Sequence, residues 1–369
     1  MGPIRVGLIG LTSSSGAGTN WAANAHLPYL RASPHYKIVA LLNSSIDSAR
    51  EAIRKYDLPS ETKAYGDPED LASDPDVDLV VCSVRVDRHY LTVRPSIIAG
   101  KTIFVEWPLE KNAVIAREMT QLAATHYART IVGLQGSFSP VVRKMKQLIE
   151  EGAIGRVLSS HLLGGLGNGG ASESSRVSYF LDREIGGNVT SIHLGHILEG
   201  VAAVLGEFKS FNSLLAISRP TKDIVDRAAG NKIIEANVPN TVPDQISVQG
   251  TVSPSGALAT INLYGGKEIP GTPQLDWRIQ GETGWLRVTS SNCAINVGSP
   301  DLKLEVFNGE TGEVVALDRD ELDELPLPAQ NTARLYEAYR KNEWYPTFEW
   351  AVKRHETIEE MWKRFDEAN

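Results

Sequence analysis

At 369 residues, with 42% apolar and 22% charged side chains, the chain is long enough for two domains and well supplied with residues for buried cores. Its 37 basic residues against 45 acidic ones leave a net charge of −8, which argues against direct nucleic-acid binding and against docking on an anionic membrane. No apolar run approaches the ~20 residues of a bilayer span, and Met1-Gly2-Pro3 leads straight into a strand rather than a signal peptide. The expectation is a soluble cytoplasmic protein in which Cys82 and Cys293, far apart in sequence, stay buried and unpaired.

The first predicted element is a short apolar strand at 4–10. It runs into a glycine- and hydroxyl-rich loop at 10–18, followed by an amphipathic segment at 21–30. Strand, loop and helix N-terminus in that order form the place where a doubly wound domain receives a dinucleotide's pyrophosphate. Free N–H groups at the helix start and the positive end of its dipole point at the anion, and glycine lets the backbone come close. Gly10, Thr12, Ser13 and Ser14 are the candidate contacts. The G-x-G-x-x-G spacing is incomplete, with Thr12 at the second glycine position and extra residues ahead of Gly18. Alone, the segment reads equally as an ordinary strand–turn–helix.

A strand at 36–42 and a helix at 45–56 come next. NAD sites usually place Asp or Glu at the end of this strand to bind the ribose 2′-hydroxyl. Here the strand ends in Asn43-Ser44-Ser45, with Arg50 a turn into the helix, so no acid stands there to repel a 2′-phosphate. Asn43, Ser44 and Arg50 therefore favour NADP over NAD. A strand at 78–84, apolar on both faces, has the character of an interior parallel strand. A helix at 90–99 closes on Gly100, and a strand at 102–105, a helix at 112–127 and a strand at 130–134 complete the series. This alternation predicts a parallel sheet covered by helices, a dinucleotide-binding domain over residues 1–135.

Beyond Gly155 the texture changes, and residues 136–369 read as a second, substrate-binding and dimerisation domain. A strand at 157–163 and a Gly/Ser-rich loop at 164–175 precede one strong helix at 189–205. Strands at 208–218, 245–252, 257–263, 275–280 and 285–288, joined by short turns, predict an open, mainly antiparallel sheet. At the end Phe348, Ala351, Val352, His355, Ile358, Met361, Trp362 and Phe365 share one helical face, read as core or dimer contact, in helices that pack back on the body. The fold class is α/β.

Several segments together resemble the Gfo/Idh/MocA oxidoreductase family. They are the opening strand, Ser83-Val84-Arg85 ahead of His89, and Gly100-Lys101-Thr102-Ile103-Phe104-Val105-Glu106-Trp107-Pro108-Leu109. Gly152-Ala153-Ile154-Gly155, Gly195-His196-Ile197-Leu198-Glu199 and Trp344-Tyr345-Pro346-Thr347-Phe348 add to them. Gly167-Asn168-Gly169-Gly170 and Thr241-Val242-Pro243-Asp244 are similar to the branch that holds the fungal galactose-regulon repressor and its oxidoreductase-like relatives. The resemblance implies an N-terminal Rossmann domain, a C-terminal α/β domain with an open sheet, and a homodimer. It assigns Ser83, Val84, Arg85, His89, Glu106, Trp107 and Gln135 to the cofactor.

The resemblance also makes His196 the acid–base residue, with Glu199 in place of the family's aspartate. His193 lies one turn earlier, and Tyr179 and Asp182 precede the helix as candidates for the same cleft. A neutral imidazole can accept a hydroxyl proton during hydride transfer. His193 and His196 lack a third Cys, Asp or His at ligand spacing, so no metal is expected. Where catalytic members carry Glu-Lys-Pro, this chain has Glu106-Trp107-Pro108. Indole has one N–H donor and no charge, so the expectation is that Trp107 either stacks on a nicotinamide or sugar face or is a wedge in the domain interface. His193, Tyr179 and Arg85 are then the candidates to polarise the substrate oxygen. The resulting expectation is an NAD(P)-dependent oxidoreductase acting on a sugar- or polyol-like small molecule. The alternatives are a non-catalytic dinucleotide-binding regulator and a redox-neutral enzyme that keeps its dinucleotide.

Overall fold

The computed structural model describes residues 2–13, 20–309 and 311–368. In chain order, strands β1 (Ile4–Ile9), β2 (Tyr36–Leu42), β3 (Lys63–Tyr65), β4 (Leu79–Cys82), β5 (Thr102–Glu106) and β6 (Thr130–Gly133) come first. Helices α1 (Leu27–Ala32), α2 (Ile46–Lys55), α3 (Pro68–Ser73), α4 (His89–Ile98) and α5 (Ala113–Thr125) alternate with them, and α6 (Pro140–Glu150) follows. Then come β7 (Val157–Gly165), β8 (Ser172–Ser174), α7 (Leu194–Leu205), β9 (Phe208–Ala216), β10 (Thr221–Asp226), β11 (Lys232–Pro239) and β12 (Gln245–Val252). The chain closes with β13 (Leu258–Tyr264), β14 (Leu275–Gly281), β15 (Trp285–Ser290), β16 (Lys303–Phe307), β17 (Gly312–Val314), α8 (Leu327–Lys341) and α9 (Phe348–Ala368). Two units emerge. One comprises Met1–Leu134 with Glu184–Gly187 and Leu322–Glu356, and the other the remaining stretches from Gln135 onward.

The first unit is built on a six-stranded parallel sheet in the order β3-β2-β1-β4-β5-β6. Every residue of β4 and β6 is buried, as strands covered on both faces must be. Local chemistry sets the helix starts. The Ser45 side chain accepts from Ser48 N at 3.1 Å to cap α2, and Asn112 accepts from Ile115 N at 3.0 Å to cap α5. The order reverses between β1 and β4, so the crevice beyond their carboxyl ends is where such a sheet holds ligands. The carboxyl-terminal segment returns to this unit: Val132 N donates to Pro346 O at 2.9 Å and Phe348 N to Thr130 Oγ1 at 3.2 Å.

The second unit carries an eight-stranded sheet in the order β17-β16-β15-β14-β7-β13-β12-β9. All its pairs are antiparallel except β7 with β13. Period-two patterning buries one face through Leu162, Val248, Ile261, Trp277 and Val288 and leaves Leu163, Leu214 and Leu258 exposed on the other. A small sheet, β11-β10-β8, stands apart from it.

The sequence reading missed β3, α3, α6, α8, β16, β17 and the hairpin of β10 and β11, and it gave 164–175 as loop where β8 lies. It also read 21–30 and 189–205 as plain helix, whereas each opens on one π turn, Ala22–His26 and Val189–His193. Among the described residues no helix is long and apolar enough to cross a membrane. Cys82 and Cys293 are free and buried.

Candidate functional site

In the first unit, the loop after β1 is held by its carbonyl groups. Asn43 Nδ2 donates to Leu11 O at 2.8 Å and to Ser48 O at 3.2 Å. Asn20 Nδ2 and the Tyr56 hydroxyl each donate to Thr12 O at 2.9 Å, and Lys55 Nζ donates to Ser13 O at 2.6 Å. Gly10 sits at φ +91°, and a Cβ there would lie 2.4 Å from Ser83 O and 2.8 Å from a Val84 methyl. Only glycine serves at that approach. Ser14 lies outside the described residues. Ser44 is exposed, and Arg50, also exposed, stands 3.6 Å from Asp47. Trp21, just past the loop, has a buried indole N–H with no partner among the described residues. It was not singled out from sequence, where a lone Trp carries no signal.

Beyond β4, Arg85 grips Asp87 through two hydrogen bonds, of 2.5 and 2.7 Å. His89 is buried with Nδ1 3.1 Å from Leu109 O and Nε2 3.1 Å from Val84 O. Burial pushes its pKa down, and a neutral ring donates to one of those carbonyls at a time. His89 thus ties the loop after β4 to the loop after β5. Glu106, the last residue of β5, is buried, with Oε1 2.8 Å from His26 Nε2. Trp107 is 5% exposed, joined to Pro108 by a cis peptide, and packs on the His355 ring at a centroid distance of 4.6 Å. His355 has a buried Nε2 without a partner among the described residues, and burial pushes its pKa down to about 3. Nearby Glu110 is pushed up to about 7 by burial.

In the second unit, Gln135 opens a short turn, Gln135–Phe138, that packs on α7: a Cβ on Gly136 would lie 3.5 Å from His196 O. Ser137 Oγ donates to Glu199 Oε1 at 2.5 Å. The Asn188 side chain caps the π turn, accepting from Thr190 N at 3.0 Å and Ser191 N at 3.1 Å. That turn and α7 carry Thr190, His193 and His196. The Thr190 hydroxyl, Nδ1 of both histidines and both amide atoms of Gln135 are buried and have no partner among the described residues. Burial pushes His193 down to about 4 and His196, beside it, down to about 3, so both rings are neutral bases at physiological pH. Phe180 meets His193 edge-on at 6.3 Å, and Tyr179 meets Phe180 edge-on at 5.1 Å, so Tyr179 stands one ring removed from the histidine. Thr190 was missed because one threonine in an apolar helix gives no pattern. Among the described residues no group of three or more His, Cys, Asp or Glu side chains could hold a metal.

Residues 4–134 match the family described as oxidoreductase, NAD-binding Rossmann fold (Gfo/Idh/MocA), and residues 140–290 match the Gal80p C-terminal domain. The dehydrogenase aclE of Aspergillus oryzae is 31% identical over 315 residues, which span 84% of this chain and 82% of that protein. The galactose/lactose metabolism regulatory protein GAL80 of Kluyveromyces lactis is 29% identical over 309 residues, 78% of this chain and 66% of the regulator. Among solved structures, a super-repressor mutant of Gal80p from Saccharomyces cerevisiae superposes with a TM-score of 0.88 at 26% identity, covering 100% of this chain and 97% of that one. A levoglucosan dehydrogenase in complex with NADH and L-sorbose shares the fold, with a TM-score of 0.77 at 17% identity over 100% of this chain and 98% of that one. The chain belongs to the Gfo/Idh/MocA oxidoreductase family, and the group its Rossmann domain is built for is a nicotinamide dinucleotide. The first unit fits such a group. It offers a glycine turn at Gly10, an indole donor at Trp21 without a partner among the described residues, and a buried carboxylate at Glu106 that can accept from hydroxyls.

Proposed function

Proceeding from that membership, we propose that the protein is an NAD(P)-dependent oxidoreductase acting on a sugar- or polyol-like hydroxyl or carbonyl compound. One observation carries the reading: Gln135, on the turn that packs on α7, and Thr190, His193 and His196, on the π turn and α7, hold buried polar atoms that nothing among the described residues satisfies. A buried polar group left alone costs ~1–3 kcal/mol, so a native protein keeps such a set for a hydroxyl-rich ligand or its water. The dinucleotide, when bound, supplies the hydride acceptor or donor. His196 takes the proton of the substrate hydroxyl at an imidazole nitrogen, which its low pKa keeps free at neutral pH. His193, Gln135 and Thr190 hold the substrate oxygens, and Tyr179 borders them. Backbone N–H groups of the loop opened by Gly10, with Thr12, Ser13 and Ser14, take the pyrophosphate. Ser83, Val84 and Arg85 flank the dinucleotide, and His89 and Trp107 brace the turns around it.

We propose NADP(H) as the dinucleotide. Both amide hydrogens of Asn43 are given to Leu11 O and Ser48 O, so the preference over NAD rests on Ser44 and Arg50. We also propose a homodimer formed through the uncovered face of the eight-stranded sheet. Leu163, Leu214 and Tyr264 there line a hollow of about 270 Å³.

A second reading, a dinucleotide-binding regulator without turnover, is favoured by Trp107. The residue in the place of the family's lysine is an indole packed against His355 and carries no charge to polarise a substrate. His196→Ala separates the two. In the oxidoreductase it lowers turnover by ~10²–10⁴-fold and leaves dinucleotide affinity within a few-fold. A protein that binds dinucleotide and turns over no hydroxyl or carbonyl compound decides for the regulator.

A further inference from the structure

Glu106 belongs to a chain of three buried polar side chains drawn from three elements of the first unit. Its Oε1 lies 2.8 Å from His26 Nε2, and His26 Nδ1 lies 2.8 Å from the Tyr336 hydroxyl. His26 and Tyr336 are completely buried. His26 is the last residue of the π turn Ala22–His26, Glu106 ends β5, and Tyr336 lies in α8. Such single π turns are rare and gather at functional sites, because the extra residue re-aims a side chain that a regular helix would point elsewhere. The packing around the chain is aromatic: the His26 ring meets Phe104 edge-on at 5.2 Å and Tyr336 at 5.8 Å.

The direction of the hydrogen bonds follows from elementary chemistry. Burial drives the Tyr336 phenol far above its ordinary pKa, so it keeps its proton and donates to Nδ1. With the phenol donating to Nδ1, His26 carries an N–H at Nε2, and that N–H donates to Glu106 Oε1, since a carboxylate only accepts. Tyr336 thereby fixes the tautomer of His26, and His26 fixes the carboxylate. The far side of the carboxylate is fixed by shape: a Cβ on Gly133 would lie 2.5 Å from Oε2 and 2.8 Å from Oε1, so the group lies flat over a glycine of β6. A carboxylate held this tightly, at the carboxyl end of a central strand, is a preset acceptor.

We propose that His26 and Tyr336 are positioning residues that lock Glu106 in one orientation and hydrogen-bonding state, so that its carboxylate accepts from a ribose hydroxyl of the dinucleotide. The proposal rests on the reading that the first unit binds a dinucleotide, and it adds two residues to that site, neither of which touches the ligand.

The test is calorimetric titration of the full-length protein with NADPH and NADH, on wild type and on His26→Leu, His26→Gln, Tyr336→Phe, Glu106→Gln and the His26→Leu/Glu106→Gln double variant. Each is first shown to be folded by its thermal transition. His26→Leu weakens binding roughly ten-fold or more, since a hydrogen bond to a charged group is lost. His26→Gln, which keeps an N–H donor, restores part of the loss. Tyr336→Phe, nearly isosteric, gives a smaller loss of the same sign and carries the test if the His26 variants do not fold. The double variant binds no more weakly than Glu106→Gln alone, because His26 acts only through that carboxylate. A folded His26→Leu or Tyr336→Phe protein with wild-type affinity overturns the relay, as does a double variant whose losses add. Absence of dinucleotide binding by the wild type overturns the underlying reading and the relay with it.

Discussion

The buried histidines make stability depend on pH in a way that single substitutions should expose. His196 has a folded-state pKa of about 3, against an ordinary value of 6.5. Below pH 6.5 the unfolded chain takes up a proton that the folded chain refuses. The stability contribution is therefore complete above pH 6.5 and is lost progressively as pH falls toward the folded value. Between pH 7.5 and pH 5 one such group costs ~2 kcal/mol, from 1.36 kcal/mol per pKa unit over about 1.5 units below 6.5. His355, with its pKa also near 3, contributes a similar loss in the first unit. Glu110, raised to about 7, acts in the opposite sense. It is protonated in the folded chain below pH 7 but not in the unfolded chain, so it adds stability over the same range. The wild-type profile alone is a mixture, and the informative quantity is the difference between wild type and variant. His196→Asn, uncharged at every pH, should remove about 2 kcal/mol of pH dependence. For a unit of this size that is ~4–8 °C less fall in Tm between pH 7.5 and pH 5, read by scanning calorimetry. Parallel Tm-against-pH lines for wild type and His196→Asn would refute the buried, neutral imidazole on which the proposed catalytic role depends.

Gly133→Ala places a methyl within 2.5 Å of the Glu106 carboxylate and should lower stability by ~1–3 kcal/mol and weaken dinucleotide binding together, as seen by denaturant melts and calorimetry. Gly10→Ala meets both a positive φ and the Ser83 carbonyl at 2.4 Å, and should abolish dinucleotide binding in protein that still melts cooperatively. Trp107→Ala removes a 5%-exposed indole packed on His355, and a loss of ~3–5 kcal/mol in a urea melt is expected for a structural wedge. Leu214→Lys, on the uncovered sheet face, should halve the mass found by light scattering at micromolar concentration, while a wild type already monomeric there contradicts the dimer.

The parallel sheet was legible because β4 and β5 are short apolar runs with a helix closed by Gly100 between them, and Ser45 and Asn112 mark the starts of α2 and α5. The hairpin of β10 and β11 was not. Every residue of β11 except Val238 is exposed, Ile233 and Ile234 included, so no alternation marks it, and the charged Lys222 lies buried within β10. The π turns left no trace either, since one extra residue in an apolar helix changes the phase by less than a sequence pattern resolves. The spacing of His193 and His196 was enough to place both on one stretch of helix, as the structure has them. Gln135 and Thr190 supply enclosed polar atoms that only the packing reveals. Glu106 directly follows a predicted strand, but its partner His26 lies 80 residues before it and His26's own partner Tyr336 lies 230 after it, and no local pattern links them.

The central claim is that the enclosed polar set of the second unit serves dinucleotide-dependent oxidation and reduction. The most direct measurement is the change in absorbance near 340 nm when purified protein, NADP(H) or NAD(H), and a panel of neutral sugars, polyols and their carbonyl counterparts are mixed. The account predicts turnover on some member of the panel by the wild type, reduced ~10²–10⁴-fold in His196→Ala. A wild type that binds dinucleotide yet changes nothing across the panel, beside a Trp107→Lys variant that acquires turnover, would contradict it.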